Sequence, residues 1–227
     1  MAKKVIIQES QYKNLFEARM DGFRLDNLRN MGFRGRIKYL NSALGQPIGK
    51  GTSRWVYQVD DYTVLKLAIN EKGIAQNECE YSLLKDDFLA IIPKVFNGTD
   101  EENFQWIITE YVLPAEKSDF KKLVGVSFPL IAEFCSKTDT SRGNRYNSRQ
   151  AYRELTWMYN KYEENEALIE LFNNISSYAA DYDRPVGDLG RIANWGLANR
   201  KDGPELVILD AGLTYDVYNE YYGRRNI

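Results

Sequence analysis

The sequence of 227 residues contains no histidine. This absence excludes catalytic arrangements built on histidine, such as Ser-His-Asp and Cys-His, and it removes the commonest protein ligand of zinc. Cysteine is scarce as well: Cys79 and Cys135 lie too far apart in the chain to form a zinc cluster, and we expect both to be buried thiols in a reducing cytosol. Chemistry that needs only carboxylates, amides and lysine is left open.

An excess of charge of one sign is also missing, since 30 basic residues stand against 32 acidic ones and the net charge is −2. This balance argues against a protein held mainly to the phosphates of a nucleic acid. No apolar run approaches membrane-spanning length, and Ala2-Lys3-Lys4 precedes only three apolar residues, too few for a signal peptide. We therefore expect a cytoplasmic protein that binds neither nucleic acid nor membranes.

Apolar residues, in contrast, are abundant enough for a packed core, at 44% hydrophobic and 13% aromatic. The length suits one globular domain or two small lobes that share a cleft. Residues 1–45 are predicted to be a helical extension, because apolar residues recur at helical spacing over residues 12–20. Residues 31–36, which contain two glycines, are expected to break that pattern before the strands begin.

Residues 46–113 change to the period of a β-sheet. The dipeptide Asp60-Asp61 between two β-type runs is typical of a tight hairpin. The strands are expected at residues 55–59, 62–68, 91–96 and 104–109. A helix is predicted over residues 71–85, with an apolar face of Cys79, Leu83 and Leu84. Together these elements predict a small antiparallel sheet with one helix.

Residues 114–227 are predicted to be mainly helical. Residues 123–134 form one apolar stretch, and helices are expected over residues 152–162 and 167–179. The polar run 136–150 is typical of a loop, and two short strands, 194–198 and 205–210, are predicted around a turn.

Two glycines, Gly49 and Gly51, precede a strand rather than a helix. Without side chains they allow backbone amides to approach phosphate oxygens, and the following strand favours a hairpin lid over a dinucleotide-binding loop. Lys66 lies on a predicted strand between apolar neighbours, where a lysine is costly without an anionic partner, and Val64 shares its face. The alternative is a solvated Lys66 that points outward from a half-exposed strand.

Two acidic motifs follow further along the chain. Asp188 precedes Asn194 within residues 187–196, and four apolar residues lead into Asp210-Ala-Gly. One carboxylate can orient and deprotonate a hydroxyl acceptor, while an amide oxygen and a second carboxylate can hold Mg²⁺ against phosphates. A strand that ends in an ordinary turn is the alternative interpretation of Asp210.

In this order, the glycine segment 48–57, Lys66, residues 187–196 and Asp210-Ala-Gly resemble the motifs of the protein kinase-like fold. The resemblance covers residues 46–215 and extends to aminoglycoside-type phosphotransferases and to compact kinases of bacteriophages. It implies an α+β, two-lobed fold, with a small antiparallel-sheet N-lobe containing one helix (46–113) and a reduced, mainly helical C-lobe (114–227). It also implies ATP and Mg²⁺ as cofactors.

The resemblance implies roles for single residues. The implied nucleotide-binding residues are Gly49, Gly51, Val56, Val64, Lys66, Glu80, Thr109 as gatekeeper, and Glu110 and Val112 at the hinge. The implied catalytic residues are Asp188 as base, Lys66 and Arg191, and the implied metal ligands are Asn194 and Asp210. Glu78 and Glu80 both fall on the predicted helix and point to different faces; Glu80 is favoured as the partner of Lys66.

The chain departs from the kinase pattern at two places. Arg54 stands where the pattern carries a third glycine, and there it would stiffen the lid or contact a phosphate. Asp188 lies six positions before Asn194 instead of five, so that Leu189 falls where the base is expected. Asp183, further upstream, is a weaker substitute for the base.

The first functional hypothesis is a phage-encoded, ATP- and Mg²⁺-dependent kinase that phosphorylates a hydroxyl of a protein or a small molecule. It would work in the host cytoplasm. The irregular catalytic loop and the missing third glycine favour an alternative, a pseudokinase that binds a host or viral protein. Transfer of AMP on the same scaffold and an unrelated α+β binding protein are further alternatives.

Overall fold

The computed structural model describes residues 23–83, 91–96, 98–139, 148–180, 184–200 and 203–221. The first elements are α1 (Asp26–Arg29), α2 (Phe33–Ala43), β1 (Gly49–Lys50), β2 (Arg54–Gln58), β3 (Thr63–Ala68), α3 (Glu71–Ser82) and β4 (Trp106–Glu110). The four strands form one antiparallel sheet in the order β1-β2-β3-β4.

The elements that follow are β5 (Leu113–Pro114), α4 (Lys117–Val124), α5 (Phe128–Thr138), α6 (Ser148–Lys161), α7 (Glu166–Ala180), β6 (Trp195–Arg200), β7 (Gly203–Ile208) and α8 (Tyr215–Tyr221). Two 3₁₀ turns, Gly187–Gly190 and Ile192–Asn194, lead into β6. Strands β5, β6 and β7 form a second antiparallel sheet. The prediction of a mixed α/β chain with a small antiparallel sheet is confirmed, while its division into lobes at residue 113 stays a prediction.

The β2–β3 hairpin forms where the sequence predicts it. Asp60 lies in the turn after β2, and its carboxylate oxygen Oδ1 accepts hydrogen bonds from the backbone N–H groups of Tyr62 (2.7 Å) and Thr63 (2.8 Å). This turn sets the register, in which Val56 lies directly opposite Lys66. Because side chains alternate along a strand, Val56 and Lys66 occupy the same face of the sheet.

The other face of the sheet carries its hydrophobic core. The residues of this cluster are Phe23, Leu28, Leu40, Tyr57, Leu65, Leu67, Trp106 and Ile108. Leu28 of α1 and Leu40 of α2 are fully buried in it. The expected break at residues 31–36 is therefore wrong: Gly32 is the extended N-cap of α2, and the helix continues through Gly35 because Leu40 anchors it to the sheet.

A second hydrophobic cluster lies among the helices that follow β5. The rings of Phe134 and Phe172 stack with centroids 3.8 Å apart, and Phe120 packs edge-on against Trp195. The apolar stretch over residues 123–134 is divided between two helices. Gly125, with φ of +74°, ends α4 in a left-handed conformation before α5 begins.

Several predicted boundaries need correction. Residues 91–96 do not form a full strand; a single bridge joins Val95 to Thr109, with Phe96 N donating to Ile108 O at 2.8 Å. The helix predicted over 71–85 ends at Ser82, and both ends of the loop predicted over 136–150 belong to α5 and α6. Three expectations lie outside the described residues: the helix over 12–20, Leu84 and Asp183.

The two cysteines differ in environment. Cys135 is buried in the second cluster, where burial raises the pKa of its thiol to about 12. Cys79 is half-buried, so the expectation of two buried thiols holds for Cys135 alone. Within the described residues, none of the helices combines the length and apolar composition needed to cross a membrane.

Candidate active site

The face of the sheet that carries Lys66 gathers several of the predicted nucleotide-binding residues. The strand register places Gly49 opposite Val56, Val56 opposite Lys66, and Val64 opposite Thr109. All five therefore share one face, turned away from the core formed with α1 and α2. A Cβ added to Gly49 would lie 3.6 Å from the side chain of Val56, so the two residues are in close contact.

The glycine segment folds as a tight hairpin between β1 and β2. The backbone N–H of Gly51 donates to the carbonyl of Arg54 at 2.8 Å, and a Cβ on Gly51 would come within 3.1 Å of that same oxygen. A side chain at position 51 would thus be tight against the opposite strand. This is the hairpin form of lid that the sequence favours over a dinucleotide-binding loop.

Lys66 is buried and ion-paired. Its Nζ donates to Glu80 Oε1, and to the backbone carbonyl of Leu209 at 2.8 Å. The carboxylate of Glu80 is fully buried, whereas Glu78, two positions earlier on α3, is exposed. The structure therefore brings Lys66 together with Glu80 and not with Glu78, and an outward, solvated lysine at position 66 is wrong.

Helix α3 presents a polar face to the interior. Its buried residues are Gly73, Gln76, Asn77 and Glu80, which recur at helical spacing. The predicted apolar face is wrong for Cys79, which is half-buried, although Leu83 beyond the helix end is buried. The inward side chains are polar because they meet polar or charged partners. Asn77, for example, accepts from Arg54 at 3.2 Å and donates to Phe104 O at 2.9 Å.

Arg54 connects the lid to the acidic residues. Its Nη1 lies 2.6 Å from Glu80 Oε2, and its Nη2 donates to Asp210 Oδ1. The side chain of Arg54 is 7% exposed, while that of Asp210 is 57% exposed. The arginine that replaces the third glycine of the kinase pattern is therefore part of the charged centre itself.

Burial and neighbouring charges shift the pKa values of the residues in this charged centre in opposite directions. Burial raises the pKa of Glu80, but the positive charges of Lys66 and Arg54 outweigh it and hold that pKa below its ordinary value. For Asp210, whose side chain is 57% exposed, the positive charges of Arg54 and Lys66 lower the pKa. Burial dominates at Lys66 and lowers its pKa despite the attraction of Glu80. Both carboxylates are therefore ionised at neutral pH.

The predicted gatekeeper and hinge residues begin in the last two residues of β4. Thr109 is fully buried, and its hydroxyl has no hydrogen-bond partner within the described part of the chain. The carboxylate of Glu110 binds Arg200 Nη1 and accepts from Lys94 N at 3.2 Å, so this side chain is occupied within the protein. Val112, two positions after Glu110, packs close to Gly196, since a Cβ added to Gly196 would lie 3.0 Å from a methyl group of Val112.

Asn194 and Asp210 lie at the same end of the β6–β7 hairpin. Trp195 pairs with Ile208, and the carbonyl of Asn194 accepts from Leu209 N at 2.9 Å, directly before Asp210. The amide nitrogen of Asn194 donates to the carbonyl of Asp188 at 2.8 Å. Asn194 thus ties the loop that contains Asp188 to the strand that delivers Asp210.

The loop around Asp188 resolves the irregular spacing seen in the sequence. The side chain of Asp188 is 59% exposed, whereas Leu189, at the position expected for a base, is buried in the second cluster. Trp195 holds this turn by donating its indole N–H to Leu189 O at 2.8 Å. Arg191 is 76% exposed and lies 3.8 Å from Asp188 Oδ1, a weak surface ion pair.

The donors at the end of the β6–β7 hairpin suit Mg²⁺ in kind. Asp210 supplies a half-exposed carboxylate, and the amide of Asn194, whose nitrogen is used by Asp188 O, has its oxygen as the remaining donor atom. Oxygen donors of this type are those that Mg²⁺ prefers. Within the described ranges no three His, Cys, Asp or Glu residues gather in a metal-binding group, so water or phosphate oxygens would have to supply the remaining ligands of the ion.

Arg184 is a buried residue that the sequence does not single out. Its guanidinium donates to the carbonyls of Ala211, beside Asp210, and of Cys79 on α3 (2.6 Å). It is 2% exposed and lies over the ring of Tyr178. Its position just upstream of residues 187–190 is the one sequence feature that could have drawn attention to Arg184. The local sequence does not show which carbonyls its guanidinium binds.

Comparisons with known proteins show neither a family nor a function for this chain. No protein-family model and no curated protein matches the sequence. A solved ternary complex of streptomycin, ATP and the aminoglycoside phosphotransferase APH(2")-IIa is similar over 77% of this chain and 70% of that chain, at 12% identity and a TM-score of 0.31. An identity and a TM-score this low do not show that the two proteins share a function. The function proposed below is therefore inferred from the geometry of this chain.

Proposed function

We propose that this protein is an ATP- and Mg²⁺-dependent phosphotransferase with a two-lobed, protein kinase-like fold. The observation that carries the proposal is the buried ion pair of Lys66 with Glu80, because Lys66 also reaches the carbonyl of Leu209, directly before Asp210. One ammonium group thus unites β3, α3 and the end of β7. A cation fixed in this way is preorganised to bind phosphate oxygens beside Asp210.

The glycine hairpin and the Lys66 face of the sheet supply the nucleotide site in this proposal. Gly49 and Gly51 cover the phosphates, and Val56 and Val64 enclose the base. Thr109, Glu110 and Val112 line its far edge, where main-chain groups bind adenine. The boundary between the two lobes follows the hinge at residue 113.

The remaining groups act on the acceptor. Asp188 accepts the proton of the acceptor hydroxyl, whose oxygen forms the new bond to the γ-phosphorus while the bond to the β-phosphate oxygen breaks and ADP leaves. Asn194 and Asp210 hold Mg²⁺, which when bound neutralises charge on the phosphates. Arg191, exposed next to Asp188, offers further positive charge to the transferred group. We propose a hydroxyl of a protein or small molecule as acceptor.

A second candidate function is supported by Arg54. Its contact with Asp210 places a positive charge on a proposed metal ligand. A pseudokinase that keeps the fold and binds a host or viral protein would tolerate such a contact, since it needs no catalytic metal. Both functions would use the same fold, but only the phosphotransferase would transfer a phosphoryl group.

The deciding experiment is a thermal shift with ATP and MgCl₂ on the wild type and on Asp210→Asn. A ligand that binds only the folded state stabilises it by about 2.7 kcal/mol at a hundredfold excess over Kd. We expect a clear rise in Tm for the wild type and a much smaller one in Asp210→Asn. The matched control is Asp216→Asn, an exposed aspartate on α8, which should keep the rise.

Absence of any shift at millimolar ATP would overturn the nucleotide site. If the shift is present, incubation with ATP and candidate hydroxyl acceptors followed by mass spectrometry separates the two functions. A phosphate adduct supports the phosphotransferase, an AMP adduct shows a different transfer, and binding without any adduct supports the pseudokinase.

A further inference from the structure

Arg54 is held in place from three sides. Its Nη1 lies 2.6 Å from Glu80 Oε2 and 3.2 Å from Asn77 Oδ1, and its Nη2 donates to Asp210 Oδ1. The first two partners are fully buried, and Arg54 itself is 7% exposed. The planar fork of a guanidinium suits this bridge, because its nitrogens can bind separate acceptors at once. Arg54 is therefore a fixed positive charge.

The charges of this centre balance without any metal. Arg54 and Lys66 carry two positive charges, and Glu80 and Asp210 carry two negative ones. Without Arg54 the same centre would carry a net negative charge next to the half-exposed carboxylate of Asp210. A divalent cation that approaches Asp210 must therefore either displace the guanidinium or bind close to it, and both are unfavourable.

We propose that Arg54 is a built-in cation that competes with divalent metal ions for Asp210 and takes over part of their role toward the phosphates of the nucleotide. Arg54 thereby sets the metal dependence of the site. Two opposite effects follow. Removal of Arg54 strengthens the binding of a metal ion to the nucleotide-free protein, and it weakens the binding of ATP in the absence of metal. The second effect rests on the proposed function; the first does not.

The first effect is tested with Mn²⁺ as probe, titrated into nucleotide-free protein and followed by electron paramagnetic resonance of the free ion. We expect Arg54→Gln to bind Mn²⁺ at least about tenfold more tightly than the wild type, because a unit charge close to the ion is removed. Adding Asp210→Asn to this variant should abolish the gain. Arg153→Gln, an exposed arginine on α6, is the matched control and should bind as the wild type does.

If Arg54→Gln does not fold, the first effect can be tested with a second variant, Arg54→Lys. Arg54→Lys keeps a positive charge beside Glu80, but its single nitrogen cannot reproduce the bridge to Asp210. We expect this variant, too, to bind Mn²⁺ more tightly than the wild type. Unchanged Mn²⁺ affinity in whichever of these variants is folded overturns the proposal.

The second effect is tested by the rise in Tm with ATP in the presence of EDTA. We expect a residual rise for the wild type, smaller than with Mg²⁺, and its loss in Arg54→Gln. A wild type that responds to ATP only with Mg²⁺ overturns this part. A protein that never responds to ATP refutes the proposed function, while the Mn²⁺ titration, which contains no nucleotide, still decides whether Arg54 competes for Asp210.

Discussion

Glu80 is the residue on which both buried cations converge. Lys66 binds one of its carboxylate oxygens and Arg54 binds the other, and the side chain is fully buried. A buried carboxylate without these partners would leave an uncompensated charge, and the two cations would be uncompensated without it. The stability of the sheet and the position of α3 therefore depend on this single ionised group.

We predict that Glu80→Gln lowers the free energy of unfolding at pH 7 by about 3–5 kcal/mol, the usual cost of breaking a buried pair from one side. The pKa of Glu80 is lower in the folded protein than its ordinary value of 4.5. Its contribution is thus complete above about pH 4.5 and is lost as the pH falls through the lower folded value. Urea denaturation from pH 7 to pH 3 measures both effects.

Glu78→Gln is the matched control, because Glu78 lies on the same helix but is exposed. Its free energy of unfolding should stay within about 0.5 kcal/mol of the wild type. The stability of Glu80→Gln should also fall less steeply between pH 4.5 and pH 3 than that of the wild type. Parallel acid profiles in the two proteins would contradict the role of Glu80.

At the scale of elements, α3 is held by close contacts on two sides. A Cβ added to Gly73 would lie 2.2 Å from the carbonyl oxygen of Ser53, and one added to Gly212 would lie 2.4 Å from the carbonyl oxygen of Gln76. The helix therefore fits between the end of the glycine hairpin and the segment after Asp210, where only glycine leaves enough room. This fit places Glu80 within reach of Lys66 and Arg54.

We predict that Gly73→Ala destabilises the protein by about 1–3 kcal/mol, the range of overpacking, although alanine is the better helix former. The reason is that Ser53 O and Ala68 Cα, both backbone atoms, border the space that the new methyl group needs. Gly35→Ala in α2 is the control: its Cβ would meet only the side chain of Met31, and we expect a change within about 1 kcal/mol. Equal values in urea denaturation would refute the tight fit of α3.

Sequence patterns predict those elements whose signals are local. The β2–β3 hairpin follows from alternation and Asp60, and α7 follows from its apolar stripe. The polar inner face of α3 is not predictable in this way, because an apolar face is the usual rule and its exception depends on Lys66 and Arg54. Arg54 and Asp210 are 156 positions apart, so their contact is visible only in the folded chain.

At the scale of the whole molecule, the described part of the chain is organised around two hydrophobic clusters, and the charged centre lies where segments that contribute to each cluster meet. Arg184 contributes to this junction by binding carbonyls of α3 and of the segment after Asp210. The N-terminal part of the described chain takes part as well, since Phe23, Leu28 and Leu40 belong to the core of the sheet. The predicted boundary at residue 45 therefore separates helices from the strands on which they pack.

We predict that Leu40→Ala lowers the free energy of unfolding of the whole sheet by about 2–5 kcal/mol, as expected for a fully buried leucine. Ile48→Ala, at a side chain that is 54% exposed, should change it by about 0.5 kcal/mol at most. If residues 23–45 were a separate extension, Leu40→Ala would leave the main urea transition unchanged. Because Leu40 packs on the face opposite Lys66, the increase in the free energy of unfolding that ATP causes should be the same in Leu40→Ala as in the wild type.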